Sequence, residues 1–168
     1  MSAMDRHAAR GLTLIEVTIV MALATMVVMG MISFYISSQS TWMAGSTQAI
    51  AQRDGTMLIE AISDSVRTAA FAETFDSPDP LHSGLILRDS GQNQFWCFWW
   101  SAGDSLVHQG PDLNHDRGPV VTSRTTRFQL DTLTRLVEIR LVELRASDGQ
   151  LVRMTSSAAL HNRGTPTP

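Results

Sequence analysis

One acidic side chain, Glu16, lies near the start of an otherwise uncharged run from Leu12 to Ile36. An ionised carboxylate inside a bilayer costs about 2.5–3.5 kcal/mol even on lenient insertion scales, so acids in such segments usually have a partner and a function. As a helix, the run would be about 37 Å long, enough to cross a hydrocarbon core of about 30 Å. The chemistry expected of Glu16 is therefore ion pairing within a membrane.

A second set of oxygen-bearing side chains alternates along one short segment: Asp112, Asn114 and Asp116. Alternating Asp and Asn residues are typical of the opening of an EF-hand calcium loop. Here the glycine, Gly118, comes one position late, and Ser123 stands where that loop has a bidentate glutamate. Two interpretations remain open, a calcium site formed by these residues and an ordinary turn rich in Asp and Asn.

The aromatic segment Phe95-Trp96-Cys97-Phe98-Trp99-Trp100 contains three of the four tryptophans. Patches rich in tryptophan serve as binding hot spots or as stacking platforms for nucleic acid, but they also form core strands. In a strand, Phe95, Cys97 and Trp99 would share one face, and Trp96, Phe98 and Trp100 the other. We expect a core strand, or a docking face for another subunit if one face is bare.

The remaining composition argues against an enzyme and against cofactors other than calcium. All thirteen basic side chains are arginines, so Schiff-base chemistry and a phosphate-loop lysine are excluded. No G-x-S-x-G, H-E-x-x-H or C-x-x-C motif occurs, and the single cysteine, Cys97, cannot form an internal disulfide. The formal net charge of −3 gives no indication of general nucleic-acid binding.

The elements that must position these residues begin with the apolar run. Arg6 and Arg10 precede it, which predicts a cytoplasmic N-terminus and an exported remainder. A helical pattern continues to residue 75, with a stripe comprising Trp42, Met43, Ile50, Met57, Leu58, Ala61, Ile62, Val66, Ala69 and Ala70. The prolines Pro78 and Pro80 then end helical character.

The rest of the chain has a β pattern. Strands are predicted at Gly84–Arg88, Gln94–Trp100, Ser105–His108, Thr125–Leu130, Leu136–Leu144 and Gln150–Thr155. The fifth also fits helical spacing, but the Asp148-Gly149 turn favours a hairpin. The expected fold class is α+β, a long N-terminal helix packed on a C-terminal antiparallel sheet.

The segment Arg10-Gly11-Leu12-Thr13-Leu14-Ile15-Glu16-Val17 resembles the processing site of type IV pilins and type II secretion pseudopilins. This resemblance implies cleavage after Gly11 by a prepilin peptidase, N-methylation of Leu12, and pairing of Glu16 with the N-terminal amine of a neighbouring subunit during filament assembly. It departs from the common pattern in two ways. Leu12 replaces the more usual phenylalanine, and no proline interrupts the first half of the helix.

The run from Gln52 to Ala70, the late paired strands and the segment Leu160-His161-Asn162-Arg163 resemble minor pilins of the W type and minor pseudopilins of the J type. That implies a tip or initiation complex, with other pilin subunits and an inner-membrane assembly platform as partners. The expected organisation is a cytoplasmic leader (1–11), a transmembrane helix half (12–36), a periplasmic amphipathic helix half (37–75) and a β-rich domain (76–168).

The resemblance places the protein in a bacterial inner membrane, with its C-terminal domain in the periplasm, and then in a pilus or pseudopilus. The sequence does not distinguish the pilus from the secretion machine. An alternative of another class remains, a periplasmic binding module on an uncleaved single-pass signal anchor.

Overall fold

The computed structural model describes residues 13–77 and 79–160. The chain has an α+β layout in which one helix, α1 (Leu14–Thr68), precedes seven strands. The strands are β1 (Phe71–Asp76), β2 (Ser83–Arg88), β3 (Gln94–Ser101), β4 (Leu106–Gly110), β5 (Arg124–Leu133), β6 (Leu136–Arg145) and β7 (Leu151–Ala159). The predicted fold class is confirmed, as is the choice of strand for the ambiguous segment that forms β6.

Two antiparallel sheets follow the helix. The first has the order β1-β2-β3-β4 and the second has the order β5-β6-β7. Every strand therefore pairs with its neighbour in sequence. The sheets approach each other at an isolated parallel bridge between His82 and Phe128, where the Phe128 backbone nitrogen donates to the Leu81 carbonyl at 3.1 Å.

The chain divides into two compact units, Met1–Met43 and Ala44–Pro168. In the first, the helical residues from Leu14 onward are exposed, and they include most of the large apolar side chains on the surface. The most apolar 18-residue window of α1 has a mean hydropathy of 2.3 and no buried residue. By length and composition this helix can cross a membrane, which is compatible with a single-pass anchor.

In the second unit, the remainder of α1 buries one stripe against the sheets. Its core members are Leu58, Ile62 and Val66, which pack with Phe98 of β3 and Phe128 of β5. The four-residue spacing of this stripe places its members on one helix face. The predicted stripe was partly wrong, because Ile50 and Met57 are 53% and 42% exposed and Trp42 and Met43 are also exposed. Ala51 takes the buried position, packed with Ala146 and Val152.

The predicted end of the helix was also wrong. Instead of continuing to residue 75, α1 ends at Thr68, and residues 71–76 form β1. Neither glycine nor proline marks this boundary. It is set by tertiary pairing, because β1 aligns with β2 from Phe71 opposite Arg88 to Asp76 opposite Ser83. The aromatic residues Phe71 and Phe75 suit this pleated, half-buried surface.

Candidate functional site

The residues with the most specific sequence pattern lie at the beginning of α1. Gly11 and Leu12, the expected processing residues, lie outside the described residues, as does the rest of the 1–11 leader. Glu16 is exposed in the first helical turn. It is the one charged side chain between Thr13 and Ile36.

Glu16 and Thr13 form a capping box, the reciprocal arrangement that closes the start of many helices. The Thr13 backbone nitrogen donates to Glu16 Oε2 at 3.4 Å, and the Glu16 backbone nitrogen donates to Thr13 Oγ1 at 3.4 Å. Both bonds are long, so each is weak. The carboxylate therefore has a local role at the helix start.

The aromatic strand β3 is mostly part of the core. Cys97 and Phe98 are fully buried, while Trp96 and Trp100 are partly buried against the core. The expected strict alternation is broken, because Leu87 pairs with Trp96 and the next pair is Arg88 with Gln94, which leaves Phe95 in a bulge. None of the six aromatic-segment side chains is fully exposed, so neither face is bare.

A histidine packs against the last tryptophan of β3. His82 stacks on Trp100 with ring centroids 3.7 Å apart, and Trp100 Nε1 donates to the Thr125 carbonyl at 3.1 Å. Burial lowers the pKa of His82, although the nearby Asp79 carboxylate acts in the opposite direction. Asp79 Oδ2 lies 3.2 Å from His82 Nδ1. This arrangement joins the two sheets and has no evident reactive group.

A cluster that the sequence analysis missed surrounds His108 on β4. His108 Nε2 lies 2.7 Å from Asp104 Oδ2, and Nδ1 lies 2.5 Å from Asp116 Oδ2. The two ring nitrogens of His108 thus each contact one carboxylate oxygen, so the ring bridges Asp104 and Asp116. Burial alone would raise the pKa of Asp104. The hydrogen bonds from His108 and from the Leu106 backbone nitrogen outweigh burial and hold that pKa below its ordinary value.

The His108 cluster anchors the loop 111–118 to β4. This loop contains the three residues of the calcium hypothesis. Asp112 accepts from the Asn114 backbone nitrogen at 2.8 Å and from the His115 ring at 2.8 Å. The His115 hydrogen bond is the main cause of a lowered Asp112 pKa.

The two aspartates of the calcium hypothesis are thus engaged with separate partners, Asp112 with His115 and Asp116 with His108. Among residues 13–77 and 79–160, no group of three or more His, Cys, Asp or Glu side chains is placed to hold a metal ion. Calcium binding by Asp112, Asn114 and Asp116 stays a prediction. An i,i+4 spacing of Asp104 and His108 across a tight turn was the signal that could have revealed the observed cluster.

Cys97 faces this region and is shielded from reaction. Burial, followed by the negative charges of Asp112 and Asp116, raises the pKa of the Cys97 thiol to about 11. The thiolate is the nucleophilic form of cysteine. The side chain is therefore a core residue in its protonated form and not a redox or nucleophilic centre at neutral pH.

Comparison of the sequence with models of protein families, with curated proteins and with solved structures gave no match.

Proposed function

We propose that this chain is a minor pilin or pseudopilin subunit that assembles through its N-terminal helix into a type IV pilus or a type II secretion pseudopilus. On this proposal a prepilin peptidase removes residues 1–11 and methylates Leu12. The subunit works by non-covalent assembly and catalyses no reaction. Its partners are other pilin-like subunits and an assembly platform in the inner membrane.

The observation that carries the proposal is the position of Glu16. It is the one charged side chain in the exposed apolar beginning of a helix that can cross a membrane, and it follows Gly11 by five positions. Cleavage after Gly11 would create an α-amine on Leu12, four residues before the acid. In a low-dielectric environment, leaving one member of such an ion pair alone costs several kcal/mol, so a free amine from a neighbouring chain is a suitable partner.

The α+β layout supports the same proposal. A long apolar N-terminal helix followed by antiparallel sheets is the layout that the sequence resemblance implies. The helix residues of the second unit bury their stripe in the sheets, which leaves the apolar residues of the first unit available to lipid or to other helices.

The capping box supports a second candidate, a periplasmic binding module on an uncleaved signal anchor. Its hydrogen bonds give Glu16 a role within its own chain, for which no neighbouring subunit is needed. The two candidates differ in processing. A pilin-like subunit loses residues 1–11, whereas a signal anchor retains them.

The first experiment is intact mass measurement with N-terminal sequencing of the membrane-extracted protein, with and without the peptidase. The proposal expects a chain that begins at methylated Leu12 only when the peptidase is present. Retention of residues 1–11 in both samples would overturn it and favour the anchored module. Because the chain has no lysine, amine-directed labelling would report on its N-terminus alone.

A second experiment separates assembly from capping. Glutamine also closes a capping box, so Glu16→Gln keeps the helix start and removes only the charge. Thr13→Ala is the matched control, because it removes the capping hydroxyl and keeps the acid. We expect Glu16→Gln to enter filaments poorly and Thr13→Ala to enter them as the wild type does. The reverse pattern would assign Glu16 to capping alone.

A further inference from the structure

An unpaired couple of arginines lies at one end of the second sheet. Arg124 of β5 and Arg145 of β6 are direct cross-strand partners in the antiparallel register. Side chains in such positions have Cβ atoms about 4.5–5.5 Å apart, and like charges there are destabilising. Within the described residues, neither guanidinium forms an ion pair within 4.0 Å.

The surrounding strands increase the positive charge. Arg127 lies opposite Glu143, and Glu143 lies opposite Arg153 in the next strand. Glu143 is only 4% exposed, and its Oε2 accepts from Arg153 Nε at 2.6 Å. That hydrogen bond is the main cause of a lowered Glu143 pKa. On these three strands Glu143 is thus the carboxylate that faces Arg127 and Arg153, and it does not pair with Arg124 or Arg145 within 4.0 Å.

The other carboxylates of this region are already engaged. Asp54 Oδ2 accepts from the backbone nitrogens of Thr122 and Ser123 at 3.0 and 2.8 Å. Asp148, in the turn between β6 and β7, accepts from the Gln150 backbone nitrogen at 3.0 Å. In the part of the chain that the structure describes, neither carboxylate lies within 4.0 Å of the guanidinium nitrogens of Arg124 or Arg145.

The arginine couple borders a cavity of about 430 Å³. Its lining also includes Thr47 and Ile50 of α1, Ser123 before β5 and Ser147 after β6. Hydroxyl groups can donate hydrogen bonds, and guanidinium groups bind phosphate oxygens in a bidentate manner. The Thr47 hydroxyl donates to the Ala44 carbonyl and the Ser123 side chain is bonded to Asp54, so the cavity offers a phosphate group the two guanidinium groups and the Ser147 hydroxyl.

We propose that this cavity is an anion site in which Arg124 and Arg145 bind a phosphate group. The phosphate relieves the repulsion between the two guanidiniums by lying between them. Both free phosphate and the phosphodiester of a lipid headgroup present this chemistry. Neither this site nor its ligand depends on how the N-terminal helix is processed or assembled.

The test is calorimetric titration of the full-length chain in a neutral detergent with inorganic phosphate, with sodium chloride at matched ionic strength as the reference. We expect saturable binding. Arg124→Gln and Arg145→Gln should each weaken it about tenfold or more, as for loss of a hydrogen bond to a charged group. Arg135→Gln is the matched control, because Arg135 is exposed in the turn at the opposite end of β5 and β6.

Both substituted arginines are exposed and lack ion pairs in the described residues, so their variants should fold, which far-UV circular dichroism would check. Repeating the titration in nanodiscs separates the two sources of phosphate. Loss of binding in phosphatidylglycerol nanodiscs would identify a lipid headgroup, whereas unchanged binding would identify free phosphate. No saturable binding, or equal weakening by Arg135→Gln, would overturn the proposal and leave solvated cations or a contact for an acidic protein segment.

Discussion

The carboxylate of Asp54 accepts hydrogen bonds from both the backbone nitrogen and the hydroxyl of Thr122, at 3.0 and 2.8 Å. Asp54 lies in α1 and is only 7% exposed, whereas Thr122 lies in the connection before β5. The Ser123 backbone nitrogen donates to the same oxygen at 2.8 Å. One side chain thus links the helix to the entry of the second sheet.

Replacing Asp54 with alanine should destabilise the second unit by about 2–3 kcal/mol, because it removes bonds to a charged acceptor and leaves two backbone donors without it. Urea unfolding of the full-length chain in detergent, followed by tryptophan fluorescence, would measure the change. Thr122→Val removes only the hydroxyl and should cost about 1 kcal/mol. Asp64→Ala, at an exposed helix position, is the control and should change stability little. Equal effects of Asp54→Ala and Asp64→Ala would contradict the structural role of Asp54.

The same link predicts a pH dependence. Burial alone would raise the pKa of Asp54, but the hydrogen bonds from Ser123 and Thr122 outweigh it and hold that pKa below its ordinary value. The stabilisation is therefore fully present above the unfolded aspartate pKa of about 3.9 and is lost as the pH falls through the lower folded pKa.

Melting temperatures of the wild type and of Asp54→Asn, measured from about pH 6 to about pH 2.5, should converge toward the acidic end. Asp104, Asp112 and Glu143 also have lowered pKa values, so both proteins should lose stability in acid. Only the difference between them reports on Asp54. A difference that is independent of pH would show that the charge of Asp54 does not contribute.

His108 should control access to Cys97. In the native wild type at pH 8, only about one thiol in a thousand would be ionised, so reaction with a disulfide reagent should be slow. His108→Gln removes the ring whose two nitrogens contact Asp104 and Asp116, so the 111–118 loop should open more often. We expect Cys97 to react about tenfold faster in this variant, as for a loss of about 1.4 kcal/mol in the local opening free energy.

The control for that experiment is His115→Gln. The His115 side chain belongs to the same loop but is 75% exposed, and it contacts only Asp112 among the acids of the loop. Its replacement should leave the rate of Cys97 modification unchanged. If both variants react at the wild-type rate, the His108 cluster does not hold the loop closed.

Gly110 should resist substitution at the start of that loop. A Cβ atom at this position would lie 2.2 Å from the His115 backbone carbonyl oxygen, which cannot rotate away as a side chain does. Gly110→Ala should therefore destabilise the second unit by about 1–3 kcal/mol in urea unfolding. Gly103→Ala is the matched control, because its nearest neighbour would be Ser101 Oγ at 3.7 Å. Similar stabilities for the two variants would contradict this packing.

The elements with a clear period were predictable from the sequence. In β6, Val137 and Ile139 alternate with Glu138 and Arg140, and both apolar residues are fully buried. By contrast, β1 was missed because neither glycine nor proline separates it from the helix, and its pairing with β2 decides its conformation. The local sequence pattern predicted a strand correctly where strand pairing favours the same conformation, as in β6, and failed where pairing alone decides it, as in β1.

The clusters that carry charge were less predictable, because each depends on register or on contacts between distant segments. Arg124 and Arg145 become neighbours only once the β5–β6 register and its bulges are known. Asp54 reads as an ordinary polar helix residue until Thr122 is placed beside it. Glu16 differs from these clusters, because the neighbouring sequence alone singled it out. The structure adds its capping hydrogen bonds with Thr13.

The order of the strands has a kinetic consequence. Because β1 to β4 and β5 to β7 each pair only with sequence neighbours, both sheets can form from successive hairpins that require short loop closures. Chains dominated by such local contacts fold faster than those that depend on distant pairing. The slowest step should be the docking of α1 on the second sheet, because Asp54 and Thr122 are 68 positions apart in the sequence. The rate of that docking would set how soon a newly made chain reaches its folded state.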